Sequence, residues 1–318
     1  MGTPLKNPPV YLTLAQVLFN PILKLVDFLP SIQESFRQAG YPDFDRQHLI
    51  SIQLTTQEGK PPTPNPVQQE RFLFGNVEKT HTFILDGQRL TLQSTNYGQF
   101  ETFSACFLGG LSIINDAVKL AFTERVGLRY LDRVMPQPGE SIEQYLVEQV
   151  QGLSPRLGGR PLYSFTEAMN QVENIKLLSR VVIQEGPLAF PPDIQLGSLR
   201  ITERFTSYSG TSAILDNDGF VEGREAFSTK AVADHLDAIH KVIGTAFKTT
   251  ATRYAFECSD SQFRLAISTS TATTGPLPQS TTGLPLSKAA CFPALAEVGP
   301  AESRACPFSF RAKAIAPT

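Results

Sequence analysis

The chain has 318 residues, 41% of them hydrophobic and 22 of them Phe, enough apolar surface to close the cores of two ordinary domains. A formal charge of −2 excludes the broad cationic footprint of general nucleic-acid binding, in which Lys and Arg displace counterions. Cys106, Cys258, Cys291 and Cys306 are too dispersed for a C-x-x-C metal site or a disulfide framework.

Val10 to Phe19 is rich in β-branched, Leu and aromatic residues and closes on Asn20-Pro21, which predicts a first strand followed by a turn. As a membrane span, the stretch Val10 to Leu29 would have to bury Gln16, Asn20, Lys24 and Asp27 in hydrocarbon, so it reads as core. No cleavage site follows it, and Lys6 stands where myristoylation needs Ser or Thr, so a cytoplasmic location is expected. Ser31 and Glu34 form a capping box, Ile32 and Phe36 share a face, and Gly40 before Pro42 stops the helix. His48 to Thr55 reads as a strand, and the Pro-rich run Lys60 to Pro66 as an exposed loop. Asp86-Gly87 sits at the tip of a hairpin between Thr82–Leu85 and Arg89–Gln93. Phe100, Phe103, Phe107, Leu111, Ile114, Val118 and Phe122 recur at helical spacing and predict one long amphipathic helix. Val126 to Val134 returns to strand.

Met135 to Gly139 breaks the pattern and places a domain boundary at residues 136/137. Beyond it, Ser141 with Gln144 predicts a capped helix ending near Gly152. Two strands are expected between Gly158 and Glu185 and one or two more between Leu199 and Phe220. Ser228 caps a helix whose Val232, Leu236, Ile239, Ile243 and Phe247 form a single stripe. The expected fold class is therefore α+β. Residues 1–136 and 137–258 form two halves, each an antiparallel sheet with a long amphipathic helix packed on it. From 259 to 318 Ser, Thr, Pro, Ala and Gly dominate without periodicity, which predicts a disordered or non-native tail.

Several segments carry a likeness to one family: Asn7-Pro-Pro-Val10, Leu29-Pro-Ser-Ile-Gln-Glu34 with Gly40-Tyr-Pro42, Tyr97 through Phe103, and Arg125-Val-Gly-Leu-Arg-Tyr-Leu-Asp-Arg133. Leu215-Asp-Asn-Asp218 and Ile239-His240 continue it. Over about Asn7 to Thr252 the chain resembles a sporadically distributed family of uncharacterised bacterial proteins, with the Arg-rich strand as the most specific element. The resemblance implies a bacterial or phage-associated cytosolic protein and brings no activity with it.

Three groups of residues carry candidate chemistry. On a strand, Arg125, Arg129 and Arg133 share one face, with Arg129 and Arg133 roughly 13 Å apart at about 3.3 Å per residue. Such a row fits an anionic ligand or an acidic partner, and equally a set of structural ion pairs with neighbouring carboxylates. Asp216, Asp218 and Glu225 fall on ligand positions of a calcium-loop template with Gly219 at its turn, but Ile214 stands at the first ligand position. A plain turn at Asp216–Gly219 is the favoured reading, with a divalent metal as the alternative. His235 and His240, five residues apart on a helix, project about 140° from one another and do not share a ligand. No nucleophile elbow, phosphate loop, dinucleotide fingerprint or H-E-x-x-H motif is present.

The expectation is a non-catalytic, partner-binding or regulatory cytosolic protein without a cofactor, its partner a protein encoded nearby, with homo-oligomerisation left open. The alternative is a metal-dependent enzyme on a phosphate-bearing substrate, with Asp216 and Asp218 at the metal. A deep pocket of convergent polar groups with strongly shifted pKa values would favour catalysis.

Overall fold

The computed structural model describes residues 8–55, 63–153, 157 and 162–258; the tail expected over 259–318 lies outside them. Among the described residues, nine antiparallel strands form one sheet in the order β2-β3-β4-β5-β1-β6-β9-β8-β7. They are β1 (Val10–Phe19), β2 (Asp43–Thr55), β3 (Thr63–Gly75), β4 (His81–Asp86), β5 (Arg89–Ser94), β6 (Phe122–Val134), β7 (Tyr163–Val172), β8 (Ile175–Glu185) and β9 (Thr211–Ala226). Helices α1 (Leu25–Gln38), α2 (Phe100–Val118) and α3 (Thr229–Thr250) pack on one face. The architecture is α+β, and among the described residues no helix is long and apolar enough to cross a membrane. The boundary expected at 136/137 falls just after β6, where the chain leaves the sheet. β6 nevertheless pairs with β9 from Phe122 to Val134, so residues on both sides of that point build one continuous sheet.

Strand alternation assigns the two faces. Ala15, Val17 and Phe19 of β1, Leu90 and Leu92 of β5, and Val126, Leu128 and Tyr130 of β6 meet the helices in the main core. Each fully buried aliphatic or aromatic side chain there contributes about 1.5–3 kcal/mol. Helix α2 comes close because Gly110 has no side chain: a Cβ there would lie 2.3 Å from the Phe83 ring. Helix α3 likewise seats Ile239 against Gly219, whose Cβ would meet it at 2.6 Å. Ser228 caps α3 as expected, accepting a hydrogen bond from the Ala231 amide. The Asp86-Gly87 hairpin also forms where the turn residues place it, between β4 and β5.

Five local expectations are corrected. Helix α1 begins at Leu25, six residues before Ser31, because Leu25 is buried in the core; the Ser31 hydroxyl donates to the Phe28 carbonyl instead of capping. The Ser141–Gln144 capping box exists, but it closes a single 3-10 turn, Ile142–Gln144, and not a helix reaching Gly152. The α2 stripe stops at Val118, with Lys119 in the left-handed conformation as its C-cap, and Phe122 belongs to β6. Thr63–Pro66 of the Pro-rich run lies in β3. Asp216–Gly219 is the middle of β9, not a turn: the Asp216 and Asn217 side chains are satisfied across the sheet by Arg129, Arg180 and Ser179, so tertiary pairing overrides local turn chemistry.

The second face is covered only in part. The connection between β8 and β9, residues 186–210, crosses it as a strap. Ile194 and Phe205 pack on Tyr11, Leu12, Leu131 and Ile214, and the Arg200 amide reaches the Lys79 carbonyl at 2.8 Å in the turn between β3 and β4.

Candidate functional site: a polar pocket beneath the strap

Between strap and sheet lies a pocket of about 380 Å³, floored by β1, β5 and β6 and walled by β3, β4 and β9. Across its floor one row runs from Thr91 through Gln16 to Gly127. The space over Gly127 is taken by the tip of Arg125, whose Nη1 would stand 3.0 Å from a Cβ there. Polar groups dominate the lining, with Arg71, Arg89, Arg125 and Arg129 against Asp86, Asp193 and Asp218, and with Gln16, Gln69, Gln93 and Gln195.

The arginine row of β6 divides three ways. Arg129, 7% exposed, grips Asp216 with Nε and Nη2 at 2.6 and 2.7 Å, and its Nη1 reaches Asp193 on the strap at 2.5 Å. Burial works against the Arg129 charge, but these hydrogen bonds outweigh it and hold its pKa above the usual guanidinium range. Arg133, 1% exposed, donates to the Ser212 hydroxyl and to the carbonyls of Phe205, Gly186 and Tyr208, fastening both ends of the strap without a carboxylate. Arg125 lies over the Phe220 ring at 4.3 Å, donates to Gln16 Oε1 at 2.9 Å and stands 3.8 Å from Asp218. Arg125 and Arg129 line the pocket and Arg133 does not.

The three carboxylates of the metal alternative are not brought together. Asp216, 2% exposed, gives its oxygens to Arg129 and Arg180. Asp218 opens on the pocket, and burial raises its pKa despite Arg125 and Arg129. Glu225 accepts from His235 of α3, on the helix-covered face. Among the described residues no group of three His, Cys, Asp or Glu side chains could hold a metal ion.

Two features escape any reading of the sequence alone. The strap is clasped at two adjacent points: Asp193 by Arg129, and Gln195 by Arg71 Nη2 at 2.5 Å. Gln93 is 5% exposed and lines the pocket, yet its Oε1 has no hydrogen-bond partner among the described residues. Polar residues at the outward positions of otherwise apolar strands, Gln16 in β1 and Gln93 in β5, were the available signal; a strand that buries both faces has no need of them.

A second polar cluster lies on the helix side. His81 bridges Thr80 Oγ1 and Ser94 Oγ at 3.0 and 3.1 Å, and burial lowers its pKa. Ser94 is 0% exposed, so this Ser–His pair holds the β4–β5 hairpin and offers no reachable nucleophile. Nearby, Tyr130 joins Tyr97 at 2.8 Å and His240 at 3.1 Å, and Asp132 is pushed up to about 7 by burial. Set against protein-family models, curated proteins and solved structures, the chain matches none.

Proposed function

We propose that this chain is a non-catalytic recognition protein whose binding site is the pocket beneath the strap. The observation that carries the reading is Arg71, which lines the pocket and whose hydrogen bonds among the described residues go to the neutral amides of Gln47 and Gln195. A guanidinium held by neutral acceptors gains from a charged one, since charge-assisted hydrogen bonds are roughly twice as strong. The composition of the lining favours recognition over chemistry. Guanidiniums, amides and carboxylates engaged by arginines line the pocket, and no His, Cys, Lys or Tyr among the described residues does. The metal-dependent alternative draws no support from Asp216, whose carboxylate is engaged by two arginines, or from Glu225 on the opposite face.

The protein-partner part of the reading rests on β7. This edge strand leaves Tyr163, Phe165, Met169 and Val172 exposed, and its lone charge, Glu167, is paired with Arg180, so the edge lacks the lysines and prolines that usually block strand addition. A cytoplasmic setting and a regulatory role belong to the same proposal.

A metabolite library screened by thermal melting tests it. Ligands that fill the pocket should raise the Tm of the parent chain by several degrees and leave Gly127→Leu unmoved, since a side chain at 127 displaces only the flexible tip of Arg125 and occupies the floor. Equal shifts in both proteins, or chemical turnover of a stabilising compound, would overturn the reading.

A further inference from the structure

We infer that the pocket's ligand is an acid, its anionic group held by Arg71 and Arg89. This rests on the recognition reading above and deepens it.

The arginines of the pocket are not equivalent. Arg129 has two carboxylates at hydrogen-bond distance, Asp216 and Asp193. Arg71 has none among the described residues: its Nε and Nη2 donate to Gln47 Oε1 at 3.0 and 2.8 Å, and Nη2 to Gln195 Oε1. Arg89 comes within 3.4 Å of Asp86, but its buried Nε makes no hydrogen bond, while Asp86 accepts instead from Gln69 and from the Gln88 amide. Asp218 stands 3.8 Å from Arg125, too far for a direct hydrogen bond. Burial lowers the pKa of Arg71 and of Arg125, so the fold leaves these two charges under-compensated where it over-compensates Arg129. An anion arriving at Arg71 would exchange neutral amide acceptors for a charged one, and charge-assisted hydrogen bonds are roughly twice as strong.

Register brings the two cations to one acid group. Arg89 pairs with Asp86 across β4–β5, and Arg71 directly precedes Phe72, which faces Leu85, so Arg71 and Arg89 flank Asp86 in one row. At about 4.8 Å between strands their Cα atoms lie roughly 10 Å apart, close enough for both long side chains to reach one acid group. This end of the pocket therefore lacks an anion. An acid at Arg71 also competes with Gln195, one of the two clasps of the strap, so binding and strap position are linked.

The test uses a fragment library with equal numbers of acids, neutral amides and amidines on matched skeletons, including 4-aminobenzoate, 4-aminobenzamide and 4-aminobenzamidine. Hits are located on the full chain by protein-observed NMR. Acids should dominate the hits that shift pocket resonances, and Arg71→Gln should weaken 4-aminobenzoate at least tenfold while leaving 4-aminobenzamide unchanged. Arg71→Lys, which keeps the charge and loses the fork, should retain part of the affinity. If amides or amidines occupy the pocket as well as acids do, the ligand class is wrong and the pocket stands as a binding site. If no class shifts pocket residues, both this inference and the recognition reading fall.

Discussion

Replacing Gln93 by Leu isolates the cost of one buried, unpartnered polar atom. The residue is 5% exposed, faces Leu14 of β1 across the sheet, and holds an amide oxygen with no partner among the described residues. A buried polar atom of this kind costs about 1–3 kcal/mol, and Leu has nearly the same volume, so neither a cavity nor a clash offsets the gain. Allowing for imperfect packing of the branched side chain, the variant should be about 1–2 kcal/mol more stable. For a folded unit of this size that is about 2–8 °C in Tm. Urea denaturation at neutral pH measures it directly, provided m is unchanged. A loss of more than about 1 kcal/mol in Gln93→Leu would show that the amide is satisfied in the ligand-free protein, and the reasoning would fail.

Other consequences are as specific. Arg129→Ala should cost about 3–5 kcal/mol in urea denaturation, because Asp216 would stay buried with Arg180 as its remaining cation; a loss below 1 kcal/mol would show that the ion pair holds nothing in place. Asp132 has a folded pKa raised by burial from 3.8 to about 7, so its contribution to stability is fully present below about pH 4 and is lost as pH rises through 7. That loss is roughly 3–5 kcal/mol, and Asp132→Asn should flatten the pH–stability curve between pH 4 and 7; an unaltered slope would refute the burial argument. Gly110→Ala should cost several kcal/mol, since its Cβ would strike the ring of Phe83 in the packed core, whereas Gly127→Ala should stay within about 1 kcal/mol; similar melts for the two would contradict the packing described.

What could be read from the chain was whatever depends on neighbours in sequence. The Asp86-Gly87 hairpin and the Ser228 cap with its apolar stripe are local devices, and both form where their residues stand. The shared face of Arg125, Arg129 and Arg133 follows from strand parity alone. Their different fates do not, because these depend on Asp193, Asp216 and the strap carbonyls, 64 to 87 residues away for Arg129's partners. Asp216-Asn-Asp-Gly219 misleads for the same reason: each of these residues favours a turn locally, and only the cross-strand partners on β6 and β8 make the segment a strand. Ser31 fits a capping box, but the burial of Leu25 starts the helix six residues earlier. The pocket itself was out of reach, since it exists only where residues 186–210 recross the sheet, and no local pattern encodes that path.

The proposed recognition site is the pocket beneath the strap, with Arg71 as the cation that receives an acid. A crystal structure of the full chain with the tightest-binding fragment of the library described above is the decisive measurement. An acidic group should lie within about 3 Å of the Arg71 guanidinium, with Gln195 released from it. A fragment seated elsewhere on the protein, with Arg71 still held by Gln47 and Gln195, would contradict it.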